Sequence, residues 1–170
     1  MAVIGFSGSE ELKNSYSELV NKIVKEVEKR GDTVAVGDCE KGLDIMVTGA
    51  TEKMYSLFYL FDDKEGKEAE ADRSIRLIEA SDEIIIFADK SCPPDCHPSD
   101  KFIGYSSIEI WGSAAYAVGN KKEVFVIWCS DSLELLPEWS GGNWKQVDIF
   151  GIKSFKFIES KSKSEQMKLF

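Results

Sequence analysis

The stretch that decides the fold is Glu83-Ile84-Ile85-Ile86-Phe87-Ala88. Its run of large apolar residues is typical of a strand that is covered on both faces of a sheet. A helical pattern over residues 68–80 comes just before it, with Ile75, Leu77 and Ile78 on its inward side. A helix that leads into a buried strand indicates a β-α-β unit, and such units build parallel sheets.

The same alternation continues on both sides of this strand. The patterns predict strands at 2–6, 33–36, 55–61 and 123–128, helices at 9–30, 42–49 and 107–118, and one or two short edge strands within 147–158. Because such crossovers have one hand, we predict an α/β fold, a Rossmann-like doubly wound three-layer sandwich with a mostly parallel sheet. In that architecture ligands bind at the carboxyl ends of the strands, so the loops there carry the candidate sites.

The net charge limits the partners that we expect. The chain has 170 residues, with 21 Lys and Arg against 30 Asp and Glu, and a formal net charge of −9. Because nucleic-acid backbones and anionic membrane surfaces attract basic faces, we predict that neither is a partner. A local anion site is compatible with this charge, since backbone N–H groups at a helix N-terminus bind anions.

The chain predicts a single domain. Residues 1–158 contain no repeat and no low-complexity linker, and the Lys- and Ser-rich residues 159–170 are expected to form a flexible C-terminal tail. There is no apolar run of membrane-spanning length and no signal-peptide pattern, so a cytoplasmic location is expected. The four cysteines are then expected to be reduced thiols.

The first candidate site is the loop Gly5-Phe6-Ser7-Gly8-Ser9, between the first predicted strand and the first helix. Its glycines allow a tight turn that points backbone N–H groups at an anion. Ser7, Gly8 and Ser9 are therefore candidate phosphate contacts. The alternative is a structural turn in which Ser9 is only the N-cap of the helix.

Charged side chains near the strand ends form the second group of candidates. Gly37, Asp38 and Asp44 belong to the loop after the second predicted strand. Asp44 can accept hydrogen bonds from a ribose or base, or it can simply complement the dipole of the next helix. Arg73 can pair with a phosphate or carboxylate, or it can lie on a solvated helix face. The sequence leaves both choices open.

The third group precedes and opens the helix predicted at 107–118. Ser106 and Glu109 match a capping box, S-x-x-E, which is a structural role. Ser106 and Ser107 can also bind phosphate, and Glu109 can hold ribose hydroxyls or act as the catalytic carboxylate in glycoside cleavage. Trp111 is a further candidate ligand contact on the same helix.

Cysteines and tryptophans suggest two more sites. Cys92, Cys96 and His97 invite a zinc interpretation, but their spacing does not match the common knuckle, and the prolines among them favour a lid or pocket wall. Trp139 and Trp144 can stack on a base or cover the core. We predict no metal and no cofactor.

Taken together, residues 2–130 resemble the SLOG superfamily, the Rossmann-like group that contains the LOG phosphoribohydrolases and sensor domains of bacterial conflict systems. The loop at 5–9 is similar to the first glycine/serine loop of that family. Residues 37–44 are similar to its G-D-A-x-G-V-D turn. Arg73, the strand at 84–87 and the helix start after it are similar to the later half, where phosphoribose sits.

The chain departs from the LOG enzymes in one loop. Those enzymes carry P-G-G-x-G-T-x-x-E directly after the strand, whereas here residues 89–105 intervene and only Ser106-x-x-Glu109 matches its end. Arg73 is followed by Ser74, where LOG enzymes have Lys. A nucleotide-binding role is therefore better supported by the resemblance than a hydrolase role.

The resemblance implies a pocket for nucleotides or ADP-ribose-like signals, often at a homodimer interface. Our leading hypothesis is a non-catalytic protein that senses or sequesters a nucleotide-derived small molecule, an ADP-ribose-type or cyclic nucleotide signal, for instance as a virus-encoded sponge against bacterial immune signalling. One alternative is an N-glycosidase or phosphoribohydrolase in which Glu109 is catalytic. Another is a protein-interaction subunit with a vestigial pocket. The expected partners are this small molecule and further copies of the chain, as a homodimer or higher homo-oligomer.

Overall fold

The computed structural model describes residues 1–102, 109–131 and 136–161. The strands in these ranges are β1 (Val3–Gly8), β2 (Thr33–Gly37), β3 (Ser56–Phe58), β4 (Glu83–Ala88), β5 (Glu123–Trp128), β6 (Gly142–Ile149) and β7 (Ile152–Glu159). The α-helices are α1 (Ser17–Lys29), α2 (Gly42–Ala50), α3 (Gly66–Ala80) and α4 (Glu109–Gly119). None of the described helices is both long enough and apolar enough to cross a membrane.

All seven strands belong to one sheet, in the order β3-β2-β1-β4-β5-β7-β6. The five strands from β3 to β5 are parallel, β7 runs antiparallel to β5, and β6 runs antiparallel to β7. The chain winds outward from β1 to β3 and then returns to place β4 on the other side of β1. The prediction of a doubly wound, mostly parallel α/β sheet is confirmed.

The decisive stretch shows why its apolar residues are consecutive. Ile85 and Phe87 of β4 pack into the core that α1 and α2 cover, whereas Ile84 and Ile86 pack into the core under α3 and α4. All four are buried, with at most 3% of the side chain exposed. Side chains alternate between the two faces of a strand, so a strand with helices on both faces must be apolar at every position.

The first helix begins later than its apolar spacing predicts. The predicted helix over 9–30 is wrong at its start, because a loop and a short 3-10 turn at Asn14–Tyr16 precede α1. The carbonyl of Ser9 accepts the backbone N–H groups of Leu12 (3.3 Å) and Leu43 (3.2 Å). Leu12 is 4% exposed and packs into the core from this loop. Leu12 is therefore buried at the position that a helix would give it, although the chain is not helical there.

The C-terminal part of the sheet is a full hairpin rather than short edge strands. β6 and β7 each have eight residues and pair along their whole length. Trp139, Trp144 and Phe157 pack together, and both tryptophans pack against Trp111 of α4, with the Trp139 and Trp111 ring centroids 6.1 Å apart. The two tryptophans considered for base stacking therefore cover the core instead.

Candidate functional site

A cleft opens at the carboxyl edge of the sheet, between α3, α4 and the ends of β1 and β2. The volume that water-sized molecules can occupy within it is about 70 Å³. Five of the candidate residues line it together: Ser7, Gly8, Gly37, Asp44 and Arg73. The cleft lies beside the point where the strand order reverses, which is where doubly wound sheets bind ligands.

Ser7 and Gly8 reach this cleft from within a strand, not from a loop. Both belong to β1 and are in register with Ile86 and Phe87 of β4. The helix predicted to begin at Ser9 begins at Ser17 instead, so no helix N-terminus follows this strand directly, and the phosphate contacts of Ser7, Gly8 and Ser9 stay predictions. Ser9 lies outside the cleft lining, and its hydroxyl accepts the N–H of Glu11 at 2.9 Å.

Two glycines let α2 approach the strand ends. A Cβ added at Gly8 would lie 2.7 Å from Cδ2 of Leu43, and one added at Gly37 would lie 2.5 Å from Oδ2 of Asp44. Both distances are shorter than side-chain contacts allow. The glycines therefore act through packing, and this packing places Asp44 in the wall of the cleft.

Asp44 is a half-buried carboxyl in the first turn of α2. Its Oδ2 accepts the backbone N–H of Cys39 at 3.2 Å, which braces the turn before the helix. Burial raises the pKa of Asp44 from 3.8 to about 6, although the Arg73 guanidinium and the Cys39 N–H both oppose the rise. Asp44 thus combines the structural role with a position in the cleft, and its charge depends on pH near neutrality.

Arg73 projects from α3 toward the strand ends rather than onto a solvated helix face. Its Nη1 lies 2.6 Å from Oδ1 of Asp38, and the two side chains are only 17% and 24% exposed. Asp38 therefore takes part in the site through Arg73. This ion pair holds the guanidinium in place. An anionic ligand that binds Arg73 must compete with Asp38 for it.

The structure adds cleft residues that the sequence reasoning did not select. They include Ser74 and Glu70 on α3, Ser113 on α4, and Phe102 in the long connection after β4. Helix spacing gave a signal for some of them. Ser74 is the neighbour of Arg73, and Glu70 lies one turn before Ser74, where side chains four apart share a face.

The remaining candidates fall outside the cleft or outside the described residues. Trp111 is buried, at 2% exposed, and its Nε1 donates to the carbonyl of Lys90 at 2.8 Å. It packs in the core, and its role as a ligand contact stays a prediction. Ser106 and Ser107 lie outside the described residues. Glu109 begins α4, but its side chain also lies outside the described part.

The cysteine-containing connection is held by hydrogen bonds. The Cys92 thiol donates to the Pro93 carbonyl at 3.5 Å, and Trp139 Nε1 donates to the Cys96 carbonyl at 2.9 Å. His97 is exposed. Within residues 1–102, 109–131 and 136–161, no group of three or more His, Cys, Asp or Glu is placed to hold a metal ion. Phe102 of this connection lines the cleft, so the connection contributes to its wall.

Comparison with solved structures gives a likeness in fold. No family model matches the chain, and no curated protein matches it, so the SLOG resemblance stays a prediction. The chain is similar to DNA processing protein A from Helicobacter pylori, whose structure is described for its single-stranded DNA binding mode. The TM-score is 0.55 at 15% sequence identity, and the match covers 74% of this chain and 65% of that one.

This likeness overturns two predictions made from the sequence. The similar protein binds single-stranded DNA, so the prediction of a nucleotide-derived small molecule as ligand and the exclusion of nucleic acid as partner are wrong. Net charge is a sum over the whole surface, whereas a guanidinium in a concave site acts locally. The signal-sequestration role and its N-glycosidase and interaction alternatives receive no support from the comparison.

Proposed function

We propose that the carboxyl-edge cleft binds a single strand of nucleic acid and that Arg73 contacts a phosphate there. The observation that carries this proposal is the placement of Arg73, a largely buried cation in a concave site whose lining includes Ser7, Ser74 and Ser113. Guanidinium and hydroxyl donors are the groups that contact phosphate oxygens in nucleic-acid complexes. The fold likeness to a single-stranded DNA-binding protein supports this class of ligand.

The charges in the cleft predict a binding mode with few phosphate contacts. Asp44 and Glu70 share the lining with Arg73, whose charge Asp38 already matches. For single strands, the slope of log K against log salt concentration is about −0.7 per phosphate contact, so one or two contacts predict a slope near −1. The bases of an unpaired strand are free to stack on the protein, whereas in a duplex they are paired with each other.

A matched pair of arginine variants tests the proposal. Fluorescence anisotropy with a short labelled oligothymidine at low salt should show binding by the wild-type protein. Arg73→Gln should weaken it roughly ten-fold, the value of a charge-assisted hydrogen bond. Arg30→Gln is the control, since Arg30 also pairs with an aspartate, Asp32, at 2.6 Å, but caps the C-terminus of α1 at the opposite edge of the sheet. Equal losses in the two variants, or no binding by wild type, would refute the proposal.

A further inference from the structure

The segment that follows β3 exposes large aromatic side chains. Tyr59 is 57% exposed, Leu60 42% and Phe61 49%. The sequence pattern predicts that these residues continue the strand, but β3 ends at Phe58. A contiguous group of exposed large apolar side chains marks a binding surface more often than a folding feature.

Side chains of α3 hold this segment in place. The Arg76 guanidinium lies over the Phe61 ring, 3.8 Å from its centroid, and donates to the carbonyl of Tyr59. Asp72 accepts from Arg76 Nε at 2.8 Å and from Lys64 Nζ at 2.6 Å, so it ties both ends of the segment to the helix. A surface that is already ordered loses little conformational freedom when a ligand binds.

The exposed segment is continuous with the cleft. Phe58 is in register with Gly37 of the cleft lining, so the chain leaves the sheet one strand spacing, about 4.8 Å, from that lining. Arg73 and Arg76 are three residues apart on α3, a spacing that places side chains on the same side of a helix. The Arg73 guanidinium therefore lies in the cleft, and the Arg76 guanidinium lies over Phe61 of the exposed segment.

We propose that Tyr59 and Phe61 form a stacking platform for unpaired nucleobases, which extends the cleft and rests on the proposed function. Every base has an apolar face, so stacking on these rings does not select one base and needs few cations. That chemistry suits an edge of the sheet whose arginines are paired with aspartates. The strand would place a phosphate at Arg73 and neighbouring bases on the two rings.

The test compares an intact oligothymidine with an abasic strand of the same length, which keeps the phosphates and lacks the bases. Tyr59→Ala and Phe61→Ala should each weaken binding of the intact strand roughly ten-fold, the typical contribution of one base stacked on an aromatic ring. Both should bind the abasic strand as wild type does. Phe61→Trp should retain binding, and Tyr55→Ala should change nothing, since Tyr55 is exposed just before the amino end of β3.

The outcomes separate this inference from the proposed function. If Arg73→Gln weakens binding while the Tyr59 and Phe61 variants bind the intact strand normally, the platform is refuted and the proposed function stands. If wild type binds neither strand, both fail. If the platform variants instead abolish self-association of the protein in size-exclusion chromatography and leave strand binding unchanged, the surface contacts a second copy, and the stacking proposal is overturned.

Discussion

Replacing Asp44 by Asn should stabilise the protein at neutral pH, against the usual effect of a substitution in a binding cleft. Burial raises the pKa of Asp44 from 3.8 to about 6. Each pKa unit corresponds to about 1.4 kcal/mol, so the ionised carboxylate costs the folded state about 3 kcal/mol. Asn removes the charge and keeps an oxygen that can accept the Cys39 N–H, so the variant should recover most of this free energy.

The sign of the pH dependence follows from proton binding. Between pH 4 and pH 6 the folded protein holds a proton on Asp44 that the unfolded chain has released. The contribution of Asp44 to the free energy of unfolding therefore falls as the pH rises through this window and levels off above it. The Asp44→Asn variant lacks this decline. Its advantage over wild type should be absent near pH 4 and complete above pH 6.

Urea unfolding at a series of pH values between about 4 and 8 measures this difference. Asp32→Asn is the matched control of opposite sign, because the N–H of Ala2 and the nearby Arg30 lower the pKa of Asp32. That variant should lose stability at neutral pH, and its deficit should shrink as the pH falls. The reasoning about Asp44 is refuted if Asp44→Asn is no more stable than wild type at pH 7, or if its advantage is the same at every pH.

Two further predictions concern Arg73 and the packing of α2. Asp38→Asn should tighten oligothymidine binding several-fold, because it frees the Arg73 guanidinium; anisotropy would measure this, and weaker binding would mean that Asp38 positions Arg73 instead of competing for it. Gly37→Ala should cost about 1–3 kcal/mol in urea unfolding, as overpacking does, because the new Cβ would lie 2.5 Å from Asp44 Oδ2. Gly49→Ala on α2, where a Cβ meets nothing within 4 Å, should be neutral or slightly stabilising, and an equal loss there would contradict the packing argument.

The central strands could be predicted from the sequence because their signal is local. β4 and β5 have the predicted bounds, 83–88 and 123–128, since each is a run of consecutive apolar residues that begins with a glutamate. The start of α1 could not be predicted in this way. Leu12 is buried from a loop, and its spacing to the next apolar residues is the same as in a helix. The loop geometry depends on the contact between the Ser9 carbonyl and Leu43, which is distant in sequence.

Part of the candidate site could be predicted from the sheet topology. Residues at the carboxyl ends of β1 and β2 had to meet in a parallel sheet, and Ser7, Gly37 and Asp44 do line one cleft. The partner of Arg73 was not predictable, because the ion pair with Asp38 joins residues 35 positions apart. The sequence predicts that the aromatic residues after β3 belong to the strand. Whether they are exposed depends on where the neighbouring strand ends, which the local sequence does not show.

The aromatic cluster has a spectroscopic consequence. The chain has four tryptophans, and all of them take part in one chain of ring contacts between α4, β5 and the β6–β7 hairpin. The hairpin is in register with β5 at two residue pairs, Phe125 with Lys156 and Val126 with Phe155, and these rings add to its attachment. The tryptophan fluorescence of the protein therefore monitors the packing of the β6–β7 hairpin against α4 and β5. If the fluorescence changes before the helical circular dichroism is lost, the hairpin unfolds first.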